Sequence, residues 1–394
     1  MKNIYITAST RTPLGAFQGG FSSLSAPQLG AVVIKSSLKK SALTNDQVEE
    51  VYFGNVVSAG LGQAPARQAS LQAGLPDSIP CTTISKVCGS GMKAVMLAAD
   101  SIKCGNIEVA VAGGMESMSN APYLLKKARP GHRIGHQVTK DSLFLDGLED
   151  AETGRLMGTF GQQTADRFKV SREAMDDYAL ESLRRAQQAT ELGYFKNEIT
   201  PVTVNGRKGD TTIIDDEQVA TAKPDKIRSL KPVFKEDGTV TAANSSSISD
   251  GASSMLLLSE EALSRLKIQA EAKIIGYASH AQKPEEFTLA PIGAIKKLLN
   301  TTGWSIDEVD LFEINEAFAV VTIQAMDELG LDHAKVNVNG GACAIGHPLG
   351  ASGARIIVTL IHALQRLNKT KGIASLCIGG GEATAIAIEL VTDV

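Results

Sequence analysis

Cys88 lies in the segment VCGSGMKAVMLAAD, where a glycine-flanked turn runs directly into an apolar pattern with helical spacing. The free N–H groups and the positive dipole end of a helix N-terminus favour the thiolate, the nucleophilic form of cysteine. Gly89 and Gly91 would let the backbone bend and approach a substrate closely. The segment therefore predicts a nucleophilic cysteine, and the alternative is an ordinary cysteine of the buried core.

His347 lies among five glycines in VNGGACAIGHPLGASGAR, just before a predicted helix start. A lone histidine is more often structural, but so open a turn favours a functional imidazole, the usual activator of a cysteine or serine nucleophile. Cys377 ends an apolar strand in ASLCIGGGEATA. The glycines at 379–381 could supply backbone N–H donors to an oxyanion hole, while a cysteine at a strand end could equally be core.

Asn315 and Glu316 precede an amphipathic pattern in FEINEAFAVVTIQAMDELG, with Phe318 on its apolar face. Asparagine is among the residues preferred at the first position of a helix. From this stretch alone we interpret Asn315 as an N-cap.

The five cysteines are scattered and contain no CxxC pair, which fits a reducing compartment better than a disulfide framework. Two pairs, Cys343 with His347 and His132 with His136, have the spacing of helical metal ligands. Neither has a second pair to complete a tetrahedral site, so we expect no metal.

The elements that would position these residues recur in two similar stretches. GSGMKAVMLAADSI followed by EVAVAGG has the same order of turn, helix, strand and glycines as GASGARIIVTLIHAL followed by GIASLCIGGG. We therefore expect a duplicated α/β unit with helix-covered sheets, and reactive groups at the strand ends. The middle of the chain is richer in charge and turns, with helical patterns near 158–168 and 171–192 that are typical of an insertion or lid.

The composition is that of an ordinary globular chain, with 43% hydrophobic and 21% charged residues and a net charge of −4. The chain has no block of Lys and Arg residues that would indicate a nucleic-acid partner. No apolar stretch reaches the roughly 18 residues that span a bilayer. The first residues show no signal-peptide pattern, and the C-terminal VTDV matches no sorting signal. We expect a cytoplasmic protein that binds neither nucleic acid nor membrane.

Taken together, these segments resemble the thiolase family over essentially the whole chain. The likeness rests on VCGSGMKAV, AGGMESMSNAPY, NEAFA, NGGACAIGHPLGASGAR and LCIGGG in this order and spacing. It implies a duplicated α/β thiolase fold, with two βαβαβαββ halves in five layers, α-β-α-β-α, and an inserted loop domain that covers coenzyme A. The implied domains are an N-terminal half at 1–118 with about 246–270, a loop domain at 119–245, and a C-terminal half at 271–394.

The resemblance also implies an acyltransferase with ping-pong kinetics, which interconverts two acetyl-CoA with acetoacetyl-CoA and free coenzyme A through an acetyl-cysteine. No cofactor is implied beyond the coenzyme A thioester that serves as substrate. A homo-oligomer, either a dimer or a tetramer, and a place in fatty acid metabolism are implied as well. The alternatives are a 3-ketoacyl-CoA thiolase of β-oxidation that prefers longer chains, and a non-catalytic relative that binds acyl-CoA or lipid.

By position, Cys88 matches the acylated nucleophile of the family, His347 its activator, and Cys377 the base that deprotonates the second acetyl group. Asn315 matches a residue that holds a water in a first oxyanion hole, and the N–H groups of Cys88 and Gly379 match a second hole. The positions that match the acyl and coenzyme A channel are Ser246, Met157, Phe234, Phe318, Leu156 and Phe287.

The chain departs from the family pattern at a few positions. Leu156 stands where histidine is common in biosynthetic members, Phe287 where methionine is common, and Glu382 where a small residue or methionine follows the third glycine. A family arginine near the adenine is absent, and Lys223 or Lys226 could replace its charge or be part of a solvated face. We expect these departures to affect acyl-chain length and coenzyme A affinity, and to leave the reaction unchanged.

Overall fold

The computed structural model describes residues 2–207 and 209–391. Within these ranges the strands are β1 (Ile4–Arg11), β2 (Gly15–Ala16), β3 (Glu50–Gly54), β4 (Cys81–Ile84), β5 (Val109–Ser117), β6 (Tyr123–Leu124), β7 (Lys140–Asp141), β8 (Val202–Val204), β9 (Thr211–Ile213), β10 (Ser249–Ser259), β11 (Ala272–Ala281), β12 (Leu311–Ile314), β13 (Lys371–Ile378) and β14 (Glu382–Leu390). The α-helices are α1 (Ala26–Ser41), α2 (Pro65–Gln72), α3 (Ser90–Lys103), α4 (Met157–Phe168), α5 (Arg172–Glu191), α6 (Glu217–Thr221), α7 (Glu260–Leu266), α8 (Ala290–Thr302), α9 (Ala319–Leu329), α10 (Ala342–Ile345) and α11 (Leu349–Leu367). No helix in these ranges has the length and hydropathy to cross a membrane.

The large sheet contains two halves that repeat one strand order. The full order is β12-β13-β14-β11-β1-β10-β5-β3-β4, with the short β2 paired to β10. The five strands of the first half, numbered 1 to 5 in chain order, are β1, β3, β4, β5 and β10, and from the outer edge of the sheet inward they lie in the order 3-2-4-5-1. In the second half β11, β12, β13 and β14 take the numbers 1, 2, 4 and 5, and from its outer edge inward they lie in the order 2-4-5-1. Within the described residues, the third strand of this half is missing from the sheet. That third position is marked by an isolated parallel bridge between Phe312 and Val336. The halves meet where β1 pairs antiparallel with β11, so the predicted duplication is confirmed.

Five layers follow from how the helices cover this sheet. Helices α3 and α11 pack between the two halves, and their side chains share one apolar core with both. Helices α1 and α2 cover the outer face of the first half, and α8, with α9 beside it, covers the outer face of the second. The predicted apolar face of α3 is buried at Met92, Val95, Met96, Ala99 and Ile102. The structure therefore confirms the α-β-α-β-α arrangement.

Helix α11 is buried on more sides than its sequence pattern predicts. The pattern indicates a single apolar face, whereas the polar side chains of Ser352, Arg355 and Thr359 are buried as well. A helix in a central layer has a sheet on both sides, and the periodicity of one face cannot signal that. These buried polar groups lie close to the candidate site described below.

Helices α3 and α11 cross near their N-terminal turns with almost no space between their backbones. A Cβ atom on Gly91 would lie 2.9 Å from the carbonyl oxygen of Gly350, and one on Gly353 would lie 2.5 Å from the backbone nitrogen of Met92. A side chain at either position would push the two backbones apart. The crossing therefore brings together the two turns that precede these helices.

The segment between residues 119 and 245 adds no strand to the large sheet. Its two predicted helices are confirmed as α4 and α5, and the Ser171 hydroxyl caps α5 by accepting a hydrogen bond from the Ala174 N–H at 3.1 Å. The division of the chain into two halves and a loop domain at the predicted boundaries stays a prediction.

Candidate active site

Cys88 lies at the end of a tight, strained turn. The hydroxyl of Ser90 holds this turn, because it accepts a hydrogen bond from the Lys86 N–H at 2.8 Å and donates one to the Val87 carbonyl at 2.7 Å. Val87 has a φ of 44°, a left-handed conformation that is costly for a β-branched residue. The turn fixes Cys88 one residue before Gly89, the N-cap of α3.

The thiol of Cys88 is buried, and burial raises its pKa to about 11. Hydrogen bonds to the sulfur from the N–H groups of Gly379 and of Cys88 itself oppose this rise. The N–H groups at this turn favour the thiolate, as expected of a helix start, but the loss of hydration on burial raises the pKa by more. The sulfur is protonated at neutral pH and needs a base in order to react.

His347 is a neutral imidazole whose free nitrogen can act as that base. Its Nδ1 lies 2.6 Å from the hydroxyl oxygen of Ser352, and that hydroxyl donates to the Pro348 carbonyl at 2.8 Å. Because the hydroxyl proton is used there, Nδ1 carries the ring proton and Nε2 is left with a lone pair. Nε2 is buried and has no hydrogen-bond partner among the described residues. Burial, and then the positive charge of Arg355, lower the pKa of His347 to about 3.

Cys377 lies one residue before the end of β13 and is fully buried. Burial, and then charge on Cys88, raise its pKa well above the ordinary value. The next residue, Ile378, touches the turn that carries Cys88, because a Cβ atom on Gly89 would lie 2.3 Å from Cδ1 of Ile378. Two cysteines that are 289 positions apart in the chain (377 − 88) therefore lie in segments that are in contact. The side chain of Cys377 belongs to an apolar cluster with Phe287 and Phe318.

Asn315 lies beside His347 and does not cap a helix. Its N–H donates to the Ser375 carbonyl at 3.0 Å, which continues the pairing of β12 with β13 beyond Ile314. Helix α9 starts only at Ala319, so the N-cap interpretation is wrong. The N-cap of α9 is Phe318, three residues further along the chain.

The side-chain amide of Asn315 is held in one orientation by a buried charge. Its Oδ1 accepts a hydrogen bond from Nη2 of Arg355 at 3.3 Å, and its Nδ2 lies 3.5 Å from Nδ1 of His347. Because a guanidinium can only donate, the amide oxygen must face Arg355. The N–H donors of Asn315 therefore face the imidazole side.

A cavity of about 410 Å³ lies at this site, and Asn315 is not among the residues that line it. Cys88, His347 and Gly379 line it, and Cys377 lies behind its wall. The residues predicted to contact the acyl group and coenzyme A, namely Ser246, Met157, Phe234, Phe318, Leu156 and Phe287, all line it as well. Most of the lining is apolar, which suits a thioester and its pantetheine arm. Their contact with coenzyme A stays a prediction.

Three buried polar residues that support the site were not predicted from the sequence: Ser352, Arg355 and Glu116. Glu116 lies near the end of β5 and accepts hydrogen bonds from the N–H groups of Val56 at 3.0 Å and Gly350 at 2.9 Å. It thereby anchors the start of α11, and burial raises its pKa to about 7. Ser352 and Arg355 stand in the GASGAR segment directly after His347, a signal that could have been used.

The part of the chain that the structure describes contains no group of three His, Cys, Asp or Glu side chains that could hold a metal ion. The reactive groups at the cavity are the Cys88 thiol, the His347 imidazole and backbone N–H donors, and the Cys377 thiol lies behind the wall. Such a set can carry out acyl transfer through a covalent thioester.

Comparison with known proteins agrees with this chemistry. Family models of the thiolase N-terminal and C-terminal domains match residues 4–261 and 268–390. Acetyl-CoA acetyltransferase 2 of Arabidopsis thaliana is 49% identical over 99% of this chain and 98% of its own length. The Acat5 thiolase of Ascaris suum, solved in complex with coenzyme A, superposes with a TM-score of 0.94 at 43% identity, covering 99% of this chain and 100% of that one. Human mitochondrial 3-ketoacyl-CoA thiolase superposes with a TM-score of 0.95 at 36% identity, covering 99% of each chain. The chain belongs to the thiolase family.

Proposed function

We propose that the chain is an acetyl-CoA C-acetyltransferase, which interconverts two acetyl-CoA with acetoacetyl-CoA and free coenzyme A. The observation that carries the proposal is the cavity lined by Cys88, His347 and Gly379, with Nε2 of His347 left without a hydrogen-bond partner among the described residues. The name of the Arabidopsis thaliana relative supports the substrate assignment.

In the first half-reaction, the sulfur of Cys88 attacks the carbonyl carbon of acetyl-CoA. The Cys88 thiol and the His347 imidazole are both neutral beforehand. Nε2 of His347 therefore takes the thiol proton as the new carbon–sulfur bond forms. The N–H groups of Cys88 and Gly379, which now donate to the sulfur, are suited to hold the oxygen of the tetrahedral intermediate. Coenzyme A leaves as a thiolate and then takes the proton of Cys377, so that acetyl-Cys88, a protonated His347 and a Cys377 thiolate remain.

In the second half-reaction, Cys377 removes a proton from the methyl group of a second acetyl-CoA. The Nε2–H group of protonated His347 and a water held by Asn315 donate hydrogen bonds to the negatively charged thioester oxygen of this enolate. The methyl carbon then attacks the carbonyl of acetyl-Cys88, and the carbon–sulfur bond to Cys88 breaks. Acetoacetyl-CoA leaves, Cys88 regains its proton from Nε2 of His347, and Cys377 keeps the proton it took from the methyl group. Proximity of the two sulfurs is what this sequence of steps requires.

Coenzyme A would enter through the apolar lining of the cavity. Ser246 is suited to contact the pantetheine arm, and Met157, Phe234 and Phe318 to line its channel. The Ascaris suum relative, whose structure contains coenzyme A, supports this part of the proposal. A cytoplasmic homo-oligomer, either a dimer or a tetramer, with a role in fatty acid metabolism remains part of the same proposal.

Mass spectrometry after mixing with acetyl-CoA tests the proposal directly. An acetyl group should appear on Cys88, and it should be absent from the Cys88→Ala variant. Cys104→Ala is the matched control, because Cys104 is an exposed free thiol outside the cavity and its removal should leave the label in place. Binding of acetyl-CoA without transfer to Cys88 would instead indicate a non-catalytic acyl-CoA-binding relative.

The second candidate is a 3-ketoacyl-CoA thiolase that prefers longer chains. The apolar lining around Leu156 and Phe287 and the similarity to the human mitochondrial enzyme favour it. Thiolysis of 3-ketoacyl-CoA substrates of increasing chain length separates the two functions. The highest kcat/KM should be found for acetoacetyl-CoA, and a kcat/KM that rises with chain length would support the alternative.

A further inference from the structure

The turn that carries Cys88 touches the hairpin between β13 and β14, which belongs to the other half of the molecule. A Cβ atom on Gly89 would lie 2.3 Å from Cδ1 of Ile378, and one on Gly379 would lie 3.7 Å from Cγ1 of Val87. The two N–H donors of Cys88 and Gly379 therefore lie on opposite sides of this junction. Their separation depends on how firmly the two segments are held together.

Lys86 and Glu382 form an ion pair across the same junction. The ammonium group of Lys86 donates to Oε2 of Glu382, and the two side chains are 22% and 37% exposed. Lys86 begins the strained turn and is bonded through its N–H to Ser90. Glu382 is the first residue of β14, opposite Ile378 on one side and Ala281 on the other. Each end of the ion pair is thus anchored to the backbone of one of the two segments.

We propose that the pair of Lys86 and Glu382 is a positioning device for the oxyanion hole formed by Cys88 and Gly379, a role that rests on the proposed acetylation of Cys88. Apolar contacts set the distance between the segments, and the ion pair restrains their more exposed edge. The left-handed Val87 adds to the need for such a restraint, because a strained residue persists only where its surroundings hold it.

The ion pair should act on the rate of the reaction more than on folding, because partly exposed ion pairs contribute little to stability. The chain offers a matched control at the opposite end of β13. Nζ of Lys371 lies 3.1 Å from Oε1 of Glu308, and these side chains are 24% and 49% exposed. The control pair has a similar exposure but lies at the other end of the strand from Cys377.

Single-turnover acetylation of Cys88 at saturating acetyl-CoA tests the proposal. Lys86→Met and Glu382→Gln should each slow acetylation about tenfold, a modest loss beside the roughly 100- to 1000-fold expected when an oxyanion donor is removed. The double variant should be no slower than the slower single variant, because both changes remove the same contact. Lys371→Met and Glu308→Gln should keep the wild-type rate, and all four single variants should have similar unfolding midpoints.

Three results would overturn the positioning role. They are rates within about twofold of wild type, losses that add in the double variant, and an equal slowing by the control pair. A wild-type protein that accepts no acetyl group on Cys88 would overturn the proposed function itself, so the two failures are distinct.

Discussion

The starts of α3 and α11 occupy equivalent positions in the two halves, and a reactive side chain precedes each of them. One of these side chains can donate a proton and the other can accept it. Cys88 precedes α3 by two residues, and His347 precedes α11 by two residues. Burial raises the pKa of the thiol to about 11 and lowers that of the imidazole to about 3. The same physical effect therefore leaves both groups neutral, one as a proton donor and the other as an acceptor.

The strands that follow these helices contact the opposite half of the molecule. Glu116 near the end of β5 accepts a hydrogen bond from Gly350 at the start of α11, in the other half. Ile378 at the end of β13 packs against Gly89 at the start of α3, again in the other half, since a Cβ atom on Gly89 would lie 2.3 Å from Cδ1 of Ile378. Each half thus supports the helix start of its partner, and the site is complete only when both are assembled.

The largest effect is expected when the thiol at the first helix start is removed. Cys88→Ala should lower condensation and thiolysis by at least about 10⁴-fold, because His347 then has no nucleophile to activate. Absorbance assays with acetoacetyl-CoA measure both directions. Turnover above background in this variant would exclude Cys88 as the nucleophile.

Removing the second sulfur should separate the two half-reactions. Cys377→Ala should slow condensation by about 10²- to 10⁴-fold, the range typical of a lost general base. Acetylation of Cys88 should change far less, because the proposed base acts only on the second acetyl-CoA. Quenched-flow measurement of acetyl-Cys88 beside steady-state condensation makes the comparison, and an equally deep loss in both would contradict it.

A smaller change at the second helix start should loosen the imidazole without removing it. Ser352→Ala deletes the acceptor of the Nδ1–H of His347, so the productive tautomer is no longer fixed, and kcat should fall about 10- to 100-fold. Ser37→Ala is the control, because Ser37 is equally buried and hydrogen-bonded to Ser254 but lies in the outer helix α1. Equal losses of activity in the two variants would argue against the tautomer role.

The pH dependence of stability tests whether burial lowers the pKa of His347. Below its ordinary pKa of 6.5, His347 binds a proton in the unfolded chain but not in the folded protein until the pH approaches 3. Acidification through this window therefore favours unfolding. Between pH 6.5 and 5.5, wild type should lose about 1 kcal/mol more free energy of unfolding than His347→Asn. Urea denaturation at the two pH values measures this, and identical losses would show that His347 titrates normally.

Local patterns predicted much of the fold. Helices α3, α4 and α5 follow from their periodicity and caps, and the duplication follows from two stretches with the same order of turn, helix and strand. Asn315 marks the limit of such reasoning. Its type favours a helix cap, but its N–H pairs with Ser375 of β13 and the helix begins only after Phe318. Its strand partner lies 60 positions away in the chain (375 − 315), beyond the reach of local patterns.

The sequence by itself determined which reactive groups are available and which elements carry them, because turns, glycines and apolar periodicity act over a few neighbouring residues. Only the tertiary structure decided that Cys88, His347 and Cys377 share one site, and in which protonation states. Hydration and charge at a buried group depend on side chains from distant parts of the chain, such as Arg355 and Ser352 around the imidazole.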